Sequence, residues 1–260
     1  MSCKKITKAD ILFVRALGQR KTRRETGLFI VEGEKMVQEL LGSPLHIHSL
    51  YALDAWYAGC PDLPASLHDK CYTLTTNDLE RISSLKTPNQ VLAVVHQPTH
   101  TLEMQHITDA LSLALDRVQD PGNLGTILRL ADWFGIDDIV CSEDSADVFN
   151  PKVIQASMGA VFRVRVHYRP LVPYLQAVTG QGLPVYGTFL DGRPIYDEVI
   201  RPHGVIVMGN ESQGISPAVA GYVGQRLRIP CYPEGKPRSE SLNVAVATAL
   251  VCGEFRRRSR

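Results

Sequence analysis

Residues 111–142 read LSLALDRVQDPGNLGTILRLADWFGIDDIVCS. An apolar run at 111–116 ends on Asp116, the pair Pro121-Gly122 makes a turn, a helical pattern fills 123–134, and a second apolar run occupies 138–142. Strand, glycine turn, helix and strand make the repeating unit of a parallel sheet. The rhythm continues to the C-terminus, with helices predicted over 151–158, 170–178, 217–223 and 241–256. Strands are predicted between them over 162–167, 184–190, 204–208 and 226–229. This alternation implies an α/β domain whose parallel sheet is covered on both faces. Ligands of such sheets sit at the carboxyl ends of the strands.

Toward the N-terminus a smaller α/β unit precedes it. A helix is expected over 9–24, with Ile11, Val14 and Leu17 on one stripe, then a strand at 28–31 and a helix at 32–41 stopped by Gly42. Further strands are expected at 46–53, 71–74 and 91–95, and Thr75-x-x-Asp78 reads as a capping box opening another helix. The polar stretch around 99–110 reads as a linker. The expected division is therefore 1–98, linker 99–110, and 111–260.

Composition fits such a protein. The chain has 260 residues, 44% hydrophobic and 21% charged, which supports a real core and excludes a coiled coil or a disordered chain. No apolar run reaches the ~18 residues of a membrane span, and the first residues lack a secretory pattern, so a cytoplasmic protein is expected. Six cysteines stand far apart without a C-x-x-C pair and read as free thiols. His46 and His48 lack a third ligand, so no metal is expected. The net charge of +1 hides an uneven spread: +7 over residues 1–24, −6 over 101–225 and +5 over 226–260. Basic ends suit a polyanion, although solvated surface charge would give the same count.

Three turns in the second half carry the chemistry. The first, Asp120-Pro121-Gly122-Asn123-Leu124-Gly125, places Asn123 at a helix start, where it can cap, with Arg129 less than two turns on. A capping turn with a salt-bridged arginine would account for these residues alone. The second, Gly209-Asn210-Glu211-Ser212-Gln213-Gly214-Ile215-Ser216, follows a buried strand. It resembles a phosphate loop in spacing, but Ile215 stands where the lysine is required, which excludes an NTPase. The third runs from Ile229-Pro230 to Ser241-Leu242-Asn243-Val244-Ala245, where hydroxyl, amide and free N–H groups at a helix start suit an anion or plain capping.

Taken in order, D-P-G-N-L-G-x3-R, G-N-E-S-x-G-I-S and I-P…S-L-N-V-A-V-A resemble the three motifs of the SpoU (TrmH) class of RNA ribose methyltransferases of the SPOUT superfamily. The likeness covers about residues 112–256. In front of it, Leu28-Phe29-Ile30-Val31-Glu32-Gly33 and the following helix resemble the small substrate-binding domain often fused to that class. The resemblance implies a trefoil-knotted α/β domain, S-adenosylmethionine bound near Gly209, Ile229 and Leu242, and a homodimer with each active site at the subunit interface. It implies methyl transfer to a ribose 2′-hydroxyl of RNA, with rRNA favoured over tRNA because of the front domain. Arg129 would help activate that hydroxyl, while Asn123, Glu211, Ser241 and Asn243 orient the arginine, the ribose and the cofactor. Arg20, Lys21, Arg23 and Arg24 are expected to bind RNA phosphates. Residues 231–240, with Lys236 and Arg238, are longer than the family's usual segment. The competing reading is a non-catalytic RNA-binding module with the same knotted fold, against which the full set of motif residues argues.

Overall fold

The computed structural model describes residues 3–60, 62–232 and 241–259. Two compact units emerge: Met1–Thr99 with Asp147–Phe162, and His100–Ala146 with Arg163–Arg260. The expected contiguous boundary therefore differs at one segment, since residues 147–162 group with the first unit.

The first unit begins with β1 (Lys4–Lys5), α1 (Lys8–Ala16) and α2 (Arg20–Thr26), followed by β2 (Leu28–Glu32) and α3 (Glu34–Leu41). It continues through β3 (Ile47–Leu53), α4 (Asp54–Ala58), β4 (Cys71–Leu74), α5 (Thr76–Ile82) and β5 (Val91–His96). The five strands form one mixed sheet in the order β1-β4-β3-β5-β2, in which β5 runs antiparallel to both β2 and β3. Val14, Leu17, Ile30, Tyr51, Leu92 and Val94 fill its core. The Thr75–Asp78 capping box is formed, and Thr7 with Asp10 makes a second one at the start of α1.

The helix expected over 9–24 is two helices. Gln19 is extended (φ −90°, ψ 133°), and α2 starts afresh at Arg20. The cause lies in Arg23, only 2% exposed, whose Nη1 donates to the carbonyls of Leu17 and Gly18 at 2.8 and 2.9 Å. A continuous helix would have tied those carbonyls to amides four residues on. Arg23 also donates from Nε and Nη2 to Asp147 Oδ2 at 3.1 and 2.5 Å.

The second unit comprises α6 (Met104–Asp109), β6 (Leu111–Leu115), α7 (Pro121–Trp133) and β7 (Asp138–Cys141). After α8 (Pro151–Ser157), which belongs to the first unit, come β8 (Arg165–Tyr168), α9 (Leu171–Gly180), β9 (Val185–Pro194) and β10 (Gly204–Met208). The chain then forms α10 (Pro217–Ala220), β11 (Gln225–Arg228) and α11 (Val244–Arg258). The stretch read as a linker thus carries the helix α6. All six strands are parallel, in the order β11-β9-β10-β6-β7-β8. After β6 the chain moves to β7 on one side, whereas β10 occupies the other, so the switch in strand order falls between β6 and β10. A crevice at such a switch point is where open α/β sheets bind ligands. Leu115 is paired with both Met208 and Cys141, so three strand ends lie abreast.

Ala114, Val140, Leu175, Val205 and Val207 pack one face of this sheet. Helix α11 packs against α7, and Arg256 donates to the carbonyls of Phe134 and Gly135 at 2.6 and 2.8 Å just beyond the end of α7. Arg257 and Arg258 bind the buried Glu254. Burial works against the charged form of Glu254, but the bonds from these arginines pull its carboxyl down to about 2. The basic C-terminus is therefore largely engaged in holding the last helix.

Candidate active site at the strand switch point

The first turn is built by Asp120 rather than Asn123. Asp120 is the N-cap of α7 and accepts from the Asn123 amide at 2.8 Å, with Pro121 supplying the helical φ at the first position. That leaves the Asn123 side chain free of capping, contrary to the sequence expectation. Its Nδ2 donates to Glu211 Oε1 at 2.5 Å, and its Oδ1 accepts from Asn243 Nδ2 at 2.9 Å. One amide thus joins all three turns.

The second turn is set by Gly209 and Asn210. A Cβ on Gly209 would stand 2.3 Å from both the Gly214 carbonyl carbon and the Ile215 nitrogen, so only glycine closes this loop. Asn210 and Gly214 exchange two backbone hydrogen bonds, and Asn210 Oδ1 accepts from the amides of Ser212 and Gln213. Glu211 is carried at the rim of this closed loop. Ser216 is the N-cap of α10, but its side chain makes no cap bond; its amide instead donates to Asp116 Oδ2 at 2.6 Å.

The third turn caps α11. Asn243 Oδ1 accepts from the amides of Ala245 and Val246 at 3.0 and 3.2 Å, which orients its Nδ2 toward Asn123. The helix therefore starts at Val244, three residues later than read from the sequence. Ser241 and Leu242 precede it and are exposed, and Ile229 follows β11 half-buried. Residues 233–240, including Lys236 and Arg238, lie outside the described residues.

Arg129 lies on α7 six residues past Asn123, about 9 Å farther along the axis. It is exposed, and among the described residues it has no hydrogen-bond or ion-pair partner. A salt-bridged arginine in a structural turn would look otherwise. Of the four cations expected at RNA, Arg20, Lys21 and Arg24 are exposed on α2, but Arg23 is buried against Asp147 and carries fold, not ligand. This corrects its expected role.

Sequence reasoning missed Arg117. It adopts φ 58°, uncommon for a residue with a side chain. Its amide donates to Ser142 Oγ at 2.8 Å, its carbonyl accepts from Asn210 Nδ2 at 2.9 Å, and its Nη1 donates to Gln213 Oε1 at 2.7 Å. Arg117 thereby ties the end of β6 to the loop that bears Glu211. Nothing in the spacing signals a left-handed arginine.

Comparison with known proteins agrees with these motifs. Residues 110–253 match the model of the SpoU rRNA Methylase family, and residues 8–93 match an MRM3-like substrate binding domain. A 23S rRNA (guanosine-2′-O)-methyltransferase of Bacillus subtilis is 34% identical over 243 residues, covering 92% of this chain and 93% of that protein. A putative RNA methyltransferase of the TrmH family from Porphyromonas gingivalis shares the fold with a TM-score of 0.85 and 40% identity, over 97% of this chain and 99% of that one. An AdoMet-bound rRNA methyltransferase from Sinorhizobium meliloti gives a TM-score of 0.85 at 28% identity, over 98% and 97%. With its three turns joined through Asn123 at the switch point of a parallel sheet, the chain belongs to the SpoU rRNA methylase family.

Proposed function

We propose that this protein transfers a methyl group from S-adenosylmethionine to a ribose 2′-hydroxyl of ribosomal RNA. The observation that carries the reading is the hydrogen-bonded chain Glu211–Asn123–Asn243, with Arg129, which has no partner among the described residues, on the same helix as Asn123. The rRNA substrate is favoured by the Bacillus relative's activity and by the MRM3-like front domain.

The residues at the three turns fit the cofactor. At Gly209 the strand end offers bare backbone with no room for a side chain, and Leu242, 48% exposed, adds an apolar face beside the α11 cap. Gly209, Ile229 and Leu242 would hold it, and the neighbouring fold in Sinorhizobium is described with AdoMet bound. When bound, the cofactor supplies a methyl on a cationic sulfonium that departs as a neutral thioether. Arg129 binds a substrate phosphate and polarises the attacking hydroxyl; its guanidinium carries only donors and has no lone pair to take the proton. Asn123 fixes the Glu211 carboxylate, Asn243 fixes Asn123, and Ser241 orients the ribose. Such positioning supplies several kcal/mol, up to roughly 7–11.

The working form is a homodimer. Val246 and Leu250, four residues apart on α11 and 50% and 44% exposed, leave apolar surface on the helix, and Leu242, 48% exposed, adds to it just before the cap. Mass mapping of ribose methylation in total RNA, with and without the gene, tests the activity: one missing 2′-O-methyl in 23S rRNA is expected. An unchanged map, together with no calorimetric binding of S-adenosylmethionine, would return the chain to an RNA-binding module.

A further inference from the structure

The break between α1 and α2 opens a cavity of about 350 Å³ within the first unit. Its floor is apolar, made by Val14, Ile82 and Pro151. Its rim carries Arg15 and Arg81, both exposed, and neither has a hydrogen-bond or ion-pair partner among the described residues. Ser83 and Ser84 line the same wall. Their hydroxyls already donate to the buried Glu32 at 2.6 Å each, and Ser83 Oγ also accepts from the Leu85 amide at 3.1 Å, so what they have left for a ligand is acceptor lone pairs. Glu80 stands on the rim as well, which leaves the cavity with one net positive charge.

That combination disfavours a bare phosphate, which would meet a carboxylate and no free hydroxyl donor. It suits a nucleotide: a base against the apolar floor, its N–H edge toward the serine oxygens and Glu80, and guanidinium planes available for stacking and phosphate contact. A site of this volume is within the range of small-ligand pockets. The exposed cations Arg20, Lys21 and Arg24 begin two residues after Gly18, itself in the cavity wall, so a phosphate track leads away from it.

We propose that this cavity takes one unstacked nucleotide of the substrate RNA, gripped by Arg15 and Arg81. The inference rests on the rRNA methyltransferase reading. Both arginines are exposed and have no partner among the described residues, so Arg15→Ala with Arg81→Ala leaves the melting temperature unchanged. Binding of a protein-free 23S rRNA transcript by the full chain is expected to weaken about tenfold or more, with a log–log salt slope shallower by about 1.4 for two lost contacts. With thiouridine incorporated in the transcript, ultraviolet cross-links in the wild-type protein should map to residues 14–18 or 81–84. Wild-type affinity in the double variant, or cross-links confined to α2, would overturn the cavity while leaving the methyltransferase reading standing. A wild-type protein that neither binds nor methylates the transcript would overturn both.

Discussion

Asn123 and Asn243, 120 residues apart in the chain, share a 2.9 Å hydrogen bond, and the same Asn123 amide grips Glu211. The polarity is fixed: the nitrogen must face the carboxylate. Asn123→Asp sets two carboxylates against each other and should lower methyl transfer at least ~100-fold. Adding Glu211→Gln restores a donor across the same contact and should recover part of the rate. A double variant no faster than Asn123→Asp in tritiated-methyl transfer would show that this contact does not orient the site.

Arg129→Ala removes a guanidinium that no described residue uses structurally. Turnover is expected to fall by about 10²–10³. The melting temperature and S-adenosylmethionine affinity should be retained. Near-normal turnover would take Arg129 out of the mechanism.

Gly209→Ala places a Cβ 2.3 Å from two backbone atoms that cannot swing aside. The loop must open, which weakens cofactor affinity measured by calorimetry and lowers stability by about 2–3 kcal/mol. Circular dichroism melts read the second effect independently.

The α2 cations should separate into two classes. Arg23→Ala leaves Asp147 and two carbonyls without their donor and should cost about 3–5 kcal/mol in urea unfolding. Arg20→Glu, Lys21→Glu and Arg24→Glu together should leave that unfolding nearly unmoved and weaken RNA binding most at low salt.

Asp138, the first residue of the inner strand β7, is buried, which by itself would raise its carboxyl pKa. Bonds from Arg165 at 2.7 and 2.8 Å and from His167 at 2.8 Å outweigh burial and hold it well below the usual carboxylate range. Its stabilisation is complete above the unfolded value of about 4 and is lost as pH falls from there toward the lowered folded value. The stability gap between wild type and Asp138→Asn should therefore be full at pH 6 and shrink steadily below about pH 4. A gap independent of pH in urea titrations would contradict that assignment.

The sequence alone determined the alternation of strands and helices in residues 111–258, and with it a parallel sheet, because apolar period and glycine turns are local signals. It also named Asn123, Glu211 and Asn243, since their residue types in that order mark the three turns. The tertiary structure decided what joins them. The Asp120 cap on the Asn123 amide is local, three residues apart, but that the freed Asn123 side chain meets Glu211 and Asn243, that Arg117 ties the end of β6 to the Glu211 loop, and that Arg23 serves the fold depend on partners 25 to 124 residues away. No window of the chain contains such a pair, so its energy has no local signature in the sequence.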